Sequence, residues 1–71
     1  MTIARGRGRV TEFDPERGTG LIIGDDGARL PFHCTQIADG TRDIAVDTAV
    51  RYDVVPGSLG AWEAAAVEPA E

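Results

Sequence analysis

Arg17-Gly18-Thr19-Gly20-Leu21-Ile22-Ile23, a Gly24-Asp25-Asp26-Gly27 reversal, and then Arg29-Leu30-Pro31-Phe32-His33-Cys34 form the stretch whose reading decides the fold. Aliphatic runs on either side of a glycine-bounded turn are the composition of two short strands in a hairpin. Side chains alternate along a strand, so Ile22 faces inward if Leu30 and Phe32 do, which leaves Leu21, Ile23, Pro31 and His33 outward. Pro31 has no N–H to give to a ladder, so its nitrogen is expected on an unpaired side or at a bulge.

Working outward, Met1 to Ala4 is expected to fray, and a first strand runs from about Arg5 to Phe13. Within it Arg5, Arg7 and Arg9 alternate with Gly6 and Gly8, which puts three guanidiniums on one face. Val10 is read as inward. Val10 and Phe13 differ in parity, so either a bulge intervenes or Phe13 lies on the outer face. Asp14-Pro15-Glu16-Arg17-Gly18 reads as a turn in which Asp caps, Pro15 presets φ and Gly18 accepts a positive φ. Downstream, Cys34 to Ile37 reads as a short helical turn, and Ala38 to Thr48 as a long loop pinned by Ile44, with Val46 as a second candidate anchor. Val50, Tyr52 and Val54 alternate with Arg51 and Asp53, the pattern of a half-buried strand. Pro56 to Gly60 reads as a hairpin loop, Ala61 to Val67 as the last strand and Glu68 to Glu71 as a tail. Five short strands, glycine turns and no helix of length predict an all-β, small antiparallel barrel, because closure removes edges that so short a sheet has no means to protect. The predicted core is Val10, Ile22, Leu30, Phe32, Val50, Tyr52 and Val54.

Composition sets limits. The 71 residues suffice for one domain, spanning 5–68 with flexible termini at 1–4 and 69–71. A domain this short has a small core and a stability of a few kcal/mol. The single Cys excludes an internal disulfide, and one Cys with one His does not make a tetrahedral metal site. No run approaches the length of a membrane span and no apolar leader-like segment follows Met1, so a cytoplasmic, membrane-free protein is expected. Net charge is −5, all of it in residues 37–71, while the charges of residues 1–36 balance. Every cation is Arg. An acidic chain lacks the long-range attraction that dominates duplex DNA binding. Enzymatic readings fail on inventory: there is one His, one Cys, no Lys, and no motif that sets a nucleophile beside a base. No cofactor is expected.

Arg17-Gly18-x-Gly20-x-Ile22 followed about ten residues later by Phe32-His33 is the skeleton of a hairpin on which nucleobases stack. Together with Gly8-Arg9-Val10, Phe13-Asp14-Pro15-Glu16, Asp26-Gly27, Ile37, Val50-x-Tyr52-x-Val54-Val55-Pro56-Gly57 and Ala64-Ala65-x-Val67, in that order, it resembles the cold-shock domain. The resemblance spans about Gly8 to Val67. It implies a five-stranded OB-fold barrel that binds single-stranded RNA or DNA, as an RNA chaperone or a regulator of transcription or translation; a monomer is expected.

The departures gather on the implied binding face. Where the family carries aromatic rings this chain has Glu12, Thr19, Leu21, Pro31 and Cys34. A further ring of the long loop has no counterpart at Gly40-Thr41-Arg42. Phe13 and His33 remain, and Trp62 is an addition. The nucleic-acid-binding residues implied are therefore Arg9, Phe13, Arg17, Leu21, Pro31 and His33, with reduced affinity. Several residues keep a second reading. His33 either contacts a base or is a solvated strand residue. Arg5, Arg7 and Arg9 either track phosphate or keep an edge strand soluble. Cys34 is either a reactive thiol or a small apolar residue. Trp62 replaces a stacking ring, anchors a protein partner or caps the open barrel end. The alternative function is a protein-interaction module whose apolar patch comprises Leu21, Ile23 and Pro31, extended by Leu59 or Trp62.

Overall fold

In the computed structural model, which describes residues 4–38, 43–57 and 61–70, five antiparallel strands form one sheet. They are β1 (Ala4–Asp14), β2 (Thr19–Gly24), β3 (Arg29–His33), β4 (Ala49–Pro56) and β5 (Trp62–Pro69), with one 3-10 turn at Cys34–Gln36. The order is β3-β2-β1-β4-β5, and the two terminal strands of that order, β3 and β5, pack against each other. A bridge from Ile37 to Val67 and a 2.7 Å bond from the Ala38 N–H to the Val67 carbonyl tie the segment after the 3-10 turn to β5. The sheet is thus the closed all-β barrel that the strand pattern predicts.

β1 is the spine. Its first half pairs with β4, from Ala4↔Val54 to Arg9↔Ala49, and its second half with β2, from Gly8↔Gly24 to Asp14↔Thr19. Gly8 sits in both ladders, and a Cβ there would overlap the Ile23 carbonyl. Ala4 is already in the sheet, paired with Val54. β5 likewise runs past Val67 through Glu68 and Pro69, because Val50 pairs with Pro69 and the Ala70 N–H donates to Ala49. The edge-strand reading fails at Arg9, which has partners in both β2 and β4, whereas Arg5 and Arg7 precede the β2 ladder and pair with β4 alone.

The parity conflict in β1 is resolved by a bulge. Register shifts between Val10 and Glu12, so Val10 and Phe13 both face the core. The Phe13 ring stacks on Phe32 with centroids 6.1 Å apart and planes 17° from parallel. A second register shift, opposite the Arg51-to-Asp53 segment of β4, does the same for β5 and buries both Ala64 and Val67. There Ala66 takes a φ of 51°, a left-handed conformation that costs a non-glycine residue about 1–2 kcal/mol.

The core comprises Val10, Ile22, Leu30, Phe32, Ile37, Val50, Tyr52, Ala64 and Val67. Six of these are the residues predicted. Val54, also predicted, is only half-buried at the margin, while Ile37, Ala64 and Val67 complete the core. Ile44 packs against it as expected of a loop anchor, but Val46 is 52% exposed and anchors nothing. Tyr52 is buried with its hydroxyl donating to the Arg7 carbonyl at 3.3 Å. Burial, helped by the charges of Asp26 and Asp25, raises its pKa above the ordinary phenol value. Gly40-Thr41-Arg42 and Leu59 lie outside the described residues.

Candidate nucleic-acid interface

The outer face is set by which pairs of the β2–β3 ladder exchange hydrogen bonds. The Cys34 N–H donates to Gly18 and the Gly24 N–H to Ala28, so the Gly18/Cys34 and Gly24/Ala28 pairs are bonded ones. Bonded and non-bonded pairs alternate in an antiparallel ladder, so Thr19↔His33, Leu21↔Pro31 and Ile23↔Arg29 are non-bonded pairs, whose side chains lie closest. The same parity aims the Pro31 nitrogen away from β2, as its missing N–H demands. Continued onto β1, these pairs make three rows: Asp14–Thr19–His33, Glu12–Leu21–Pro31 and Arg9–Ile23–Arg29.

The turn from β1 to β2 is built as its residues require. The Asp14 carboxylate accepts from the Glu16 and Arg17 N–H groups at 3.0 and 3.3 Å, and Gly18 takes a φ of 70°. Arg17 is thereby carried over the rows. A hollow of about 470 Å³ lies there, lined by Phe13, Arg17, Thr19, Leu21, Arg29 and Pro31 among others. Four of the six residues implied by the sequence therefore meet at one place. Gly20 holds the floor down: a Cβ on it would come within 2.6 Å of the Phe32 ring and 2.9 Å of the Glu12 carbonyl.

His33 stands one row away, in a smaller hollow of about 190 Å³ with Thr19, Pro31 and Glu63. Its ring is not loosely solvated. The Thr35 N–H, which can only donate, points to Nδ1 at 3.3 Å, so Nδ1 accepts and the ring proton belongs on Nε2. His33 thus caps the 3-10 turn, and its Nε2 lies beside Gly18, 3.7 Å from where a Cβ there would stand. Arg9 is at the far row, with Nη1 donating to the Asp47 carbonyl at 2.8 Å, which leaves its other N–H groups available. Phe13 is half-buried against Phe32, so it offers part of a ring rather than an open face. Cys34 is half-buried and packs against the core, and a Cβ on Gly18 would lie 2.8 Å from its sulfur, as suits a small apolar residue.

Arg29 was missed in the sequence reading. It shares strand parity with Pro31 and His33, and that alone would have found it. It is exposed and has no ion-pair partner among the described residues. Arg17 has only a loose contact with Asp14 at 3.8 Å, its side chain 83% exposed. On the other side of the barrel two arginines are occupied: Arg5 meets Asp53 at 3.1 Å and Glu68 at 3.7 Å, and Arg51 meets Glu68 at 3.0 Å. The rows and hollow thus carry Arg9, Arg17 and Arg29 against Glu12 and Asp14, while β4 and β5 carry Asp53, Glu63 and Glu68 against Arg51.

Trp62 does not join this surface. It lines a separate cleft with no lining residue in common with the hollow. Among the described residues no cluster of three His, Cys, Asp or Glu side chains is placed to hold a metal ion, and no helix is long and apolar enough to cross a membrane.

Residues 6–70 match the family model described as the 'Cold-shock' DNA-binding domain. No curated protein matches the chain significantly.

Proposed function

We propose, on the premise that this chain belongs to the cold-shock domain family, a nucleic-acid-binding and non-enzymatic one, that it binds single-stranded RNA or DNA weakly across the β1–β2–β3 face. Arginine carries more of the contact than stacking does. The observation that supports this is the convergence of Arg17 and Arg29 with Phe13, Leu21 and Pro31 around one hollow.

Magnitudes set the expected strength. A base–aromatic stack is worth about 1–3 kcal/mol, so five ring positions without rings forgo about 5–15 kcal/mol. A micromolar complex has only about 8 kcal/mol in all. Guanidiniums recover part of this by meeting phosphate or by lying flat on a base. Leu21 and Pro31 offer apolar surface but no π-face. The strand is therefore held at its phosphates, with Phe13 and the Nε2–H of His33 as secondary contacts. A monomer acting in the cytoplasm, as an RNA chaperone or as a regulator of transcription or translation, is the physiological reading.

The test is a double substitution, Arg17→Gln with Arg29→Gln, titrated against mixed-sequence 12-mers of RNA and DNA by fluorescence polarisation. Neither side chain is in the core, so the variant should fold. Two fewer phosphate contacts should weaken binding by about tenfold or more at low salt and flatten the log–log salt slope by about 1.4. Unchanged affinity in the folded variant would remove the hollow from the binding surface.

A further inference from the structure

We propose that the Trp62 cleft is a docking site for a protein segment carrying a large apolar side chain, Phe or Leu, beside an Arg or Lys. The cleft has a volume of about 380 Å³, and Leu30, Tyr52, Val54 and Trp62 give it a mainly apolar lining. Trp62 is 50% exposed, one of two large apolar side chains left so open among the described residues. Trp, Tyr and Arg are the residues over-represented where binding energy concentrates in interfaces. The space suits a large side chain and part of its neighbour.

The cleft is shaped by hydrogen bonds of the chain itself, one between backbone groups and two involving side chains. The Asp25 N–H donates to the Arg7 carbonyl at 2.8 Å, which pins the β2–β3 turn against β1. Asp26 Oδ1 accepts from the Ala28 N–H at 3.0 Å, and the Tyr52 hydroxyl donates to the same Arg7 carbonyl at 3.3 Å. A site already formed does not incur the ordering cost that weakens loose ones.

Charge selects the class of occupant. Arg5 borders the cleft but is engaged by Asp53 and Glu68. That leaves Arg7 against the two carboxylates of Asp25 and Asp26, whose field already reaches the Tyr52 phenol inside. The chain as a whole carries −5. A phosphate-bearing ligand meets both carboxylates and that long-range repulsion, whereas a basic segment gains from both. The site stands independently of the strand-binding face, with which it shares no lining residue.

Trp62 is the sole tryptophan, so its emission reads the cleft directly. The full chain is titrated at low salt with a capped arginine-phenylalanine-leucine-arginine peptide, with the same peptide bearing glutamates for arginines, and with guanosine monophosphate. The basic peptide is expected to give a saturable change that Asp25→Asn with Asp26→Asn weakens by about tenfold, since Asn at 26 keeps the oxygen that holds the turn. The acidic peptide should not saturate in the same range, and Arg17→Gln with Arg29→Gln, which only adds to the chain's negative charge, should not weaken the basic peptide. An equal response to both peptides, or no saturable response to the basic one, overturns the proposal. So does saturation by guanosine monophosphate that Arg7→Gln abolishes, which would make the cleft a nucleotide site.

Discussion

Phe32→Ala is expected to leave the chain largely unfolded at about 25 °C, because the loss of about 3–5 kcal/mol matches the whole stability of so small a domain. The site has no means of closing over the void. Phe32 is 4% exposed, its ring stacks on Phe13, and Gly20 is a glycine because that ring occupies the place of its Cβ. Removing the ring therefore leaves Phe13 without its partner and Gly20 beside empty space, and β2 and β3 lose the contact that seats them on the core. Circular dichroism with heat or urea reads the result. A melt that coincides with the parent's would show that the barrel is held together elsewhere.

The second large effect is a gain. Thr19→Phe, Leu21→Phe and Pro31→Phe together are expected to tighten binding of a thymine-rich strand by about a hundredfold or more, three stacks being worth about 1–3 kcal/mol each. The register supports the design. Residues 21 and 31 are a non-bonded cross-strand pair and residue 19 lies on their diagonal, so three rings would form a contiguous platform. The N–H regained at position 31 points away from β2 and leaves that ladder alone. Glu12, directly opposite Leu21, stays as a repulsive charge against phosphate, so the gain falls short of simple additivity. Polarisation titration of the folded triple variant checks this. No gain would mean that the face no longer has the shape of a stacking surface, and its aliphatic side chains would then be better read as a protein-binding patch.

The strand alternation at Leu30/Phe32 and Val50/Tyr52 was legible because one face of each strand is buried, and burial writes itself into every second residue. The parity conflict between Val10 and Phe13 announced a bulge as one of two solutions. The same conflict between Ala64 and Val67 went unread, since alanine carries too little hydrophobic signal to mark a face. Ile37 and Val67 meet through a bridge between segments distant in sequence, and no local pattern reports such a meeting. At the candidate site, Phe13, Arg17, Leu21 and Pro31 came together as the motif implied. Arg29 was legible by parity and overlooked, and the capping role of His33 depends on the 3-10 turn that follows it. The Trp62 cleft was not legible at all, because β1, the β2–β3 turn, β3, β4 and β5 all contribute to it.

Binding of a mixed-sequence single-stranded 12-mer as a function of salt tests most directly whether arginine, rather than stacking, holds the strand. Each neutralised phosphate on a single strand releases about 0.7 of a counterion, so three or four engaged arginines imply a log–log slope of about −2 to −3, with weak binding at physiological salt. Tight binding with a nearly flat slope would contradict it and return the role to stacking on groups such as Phe13 and His33.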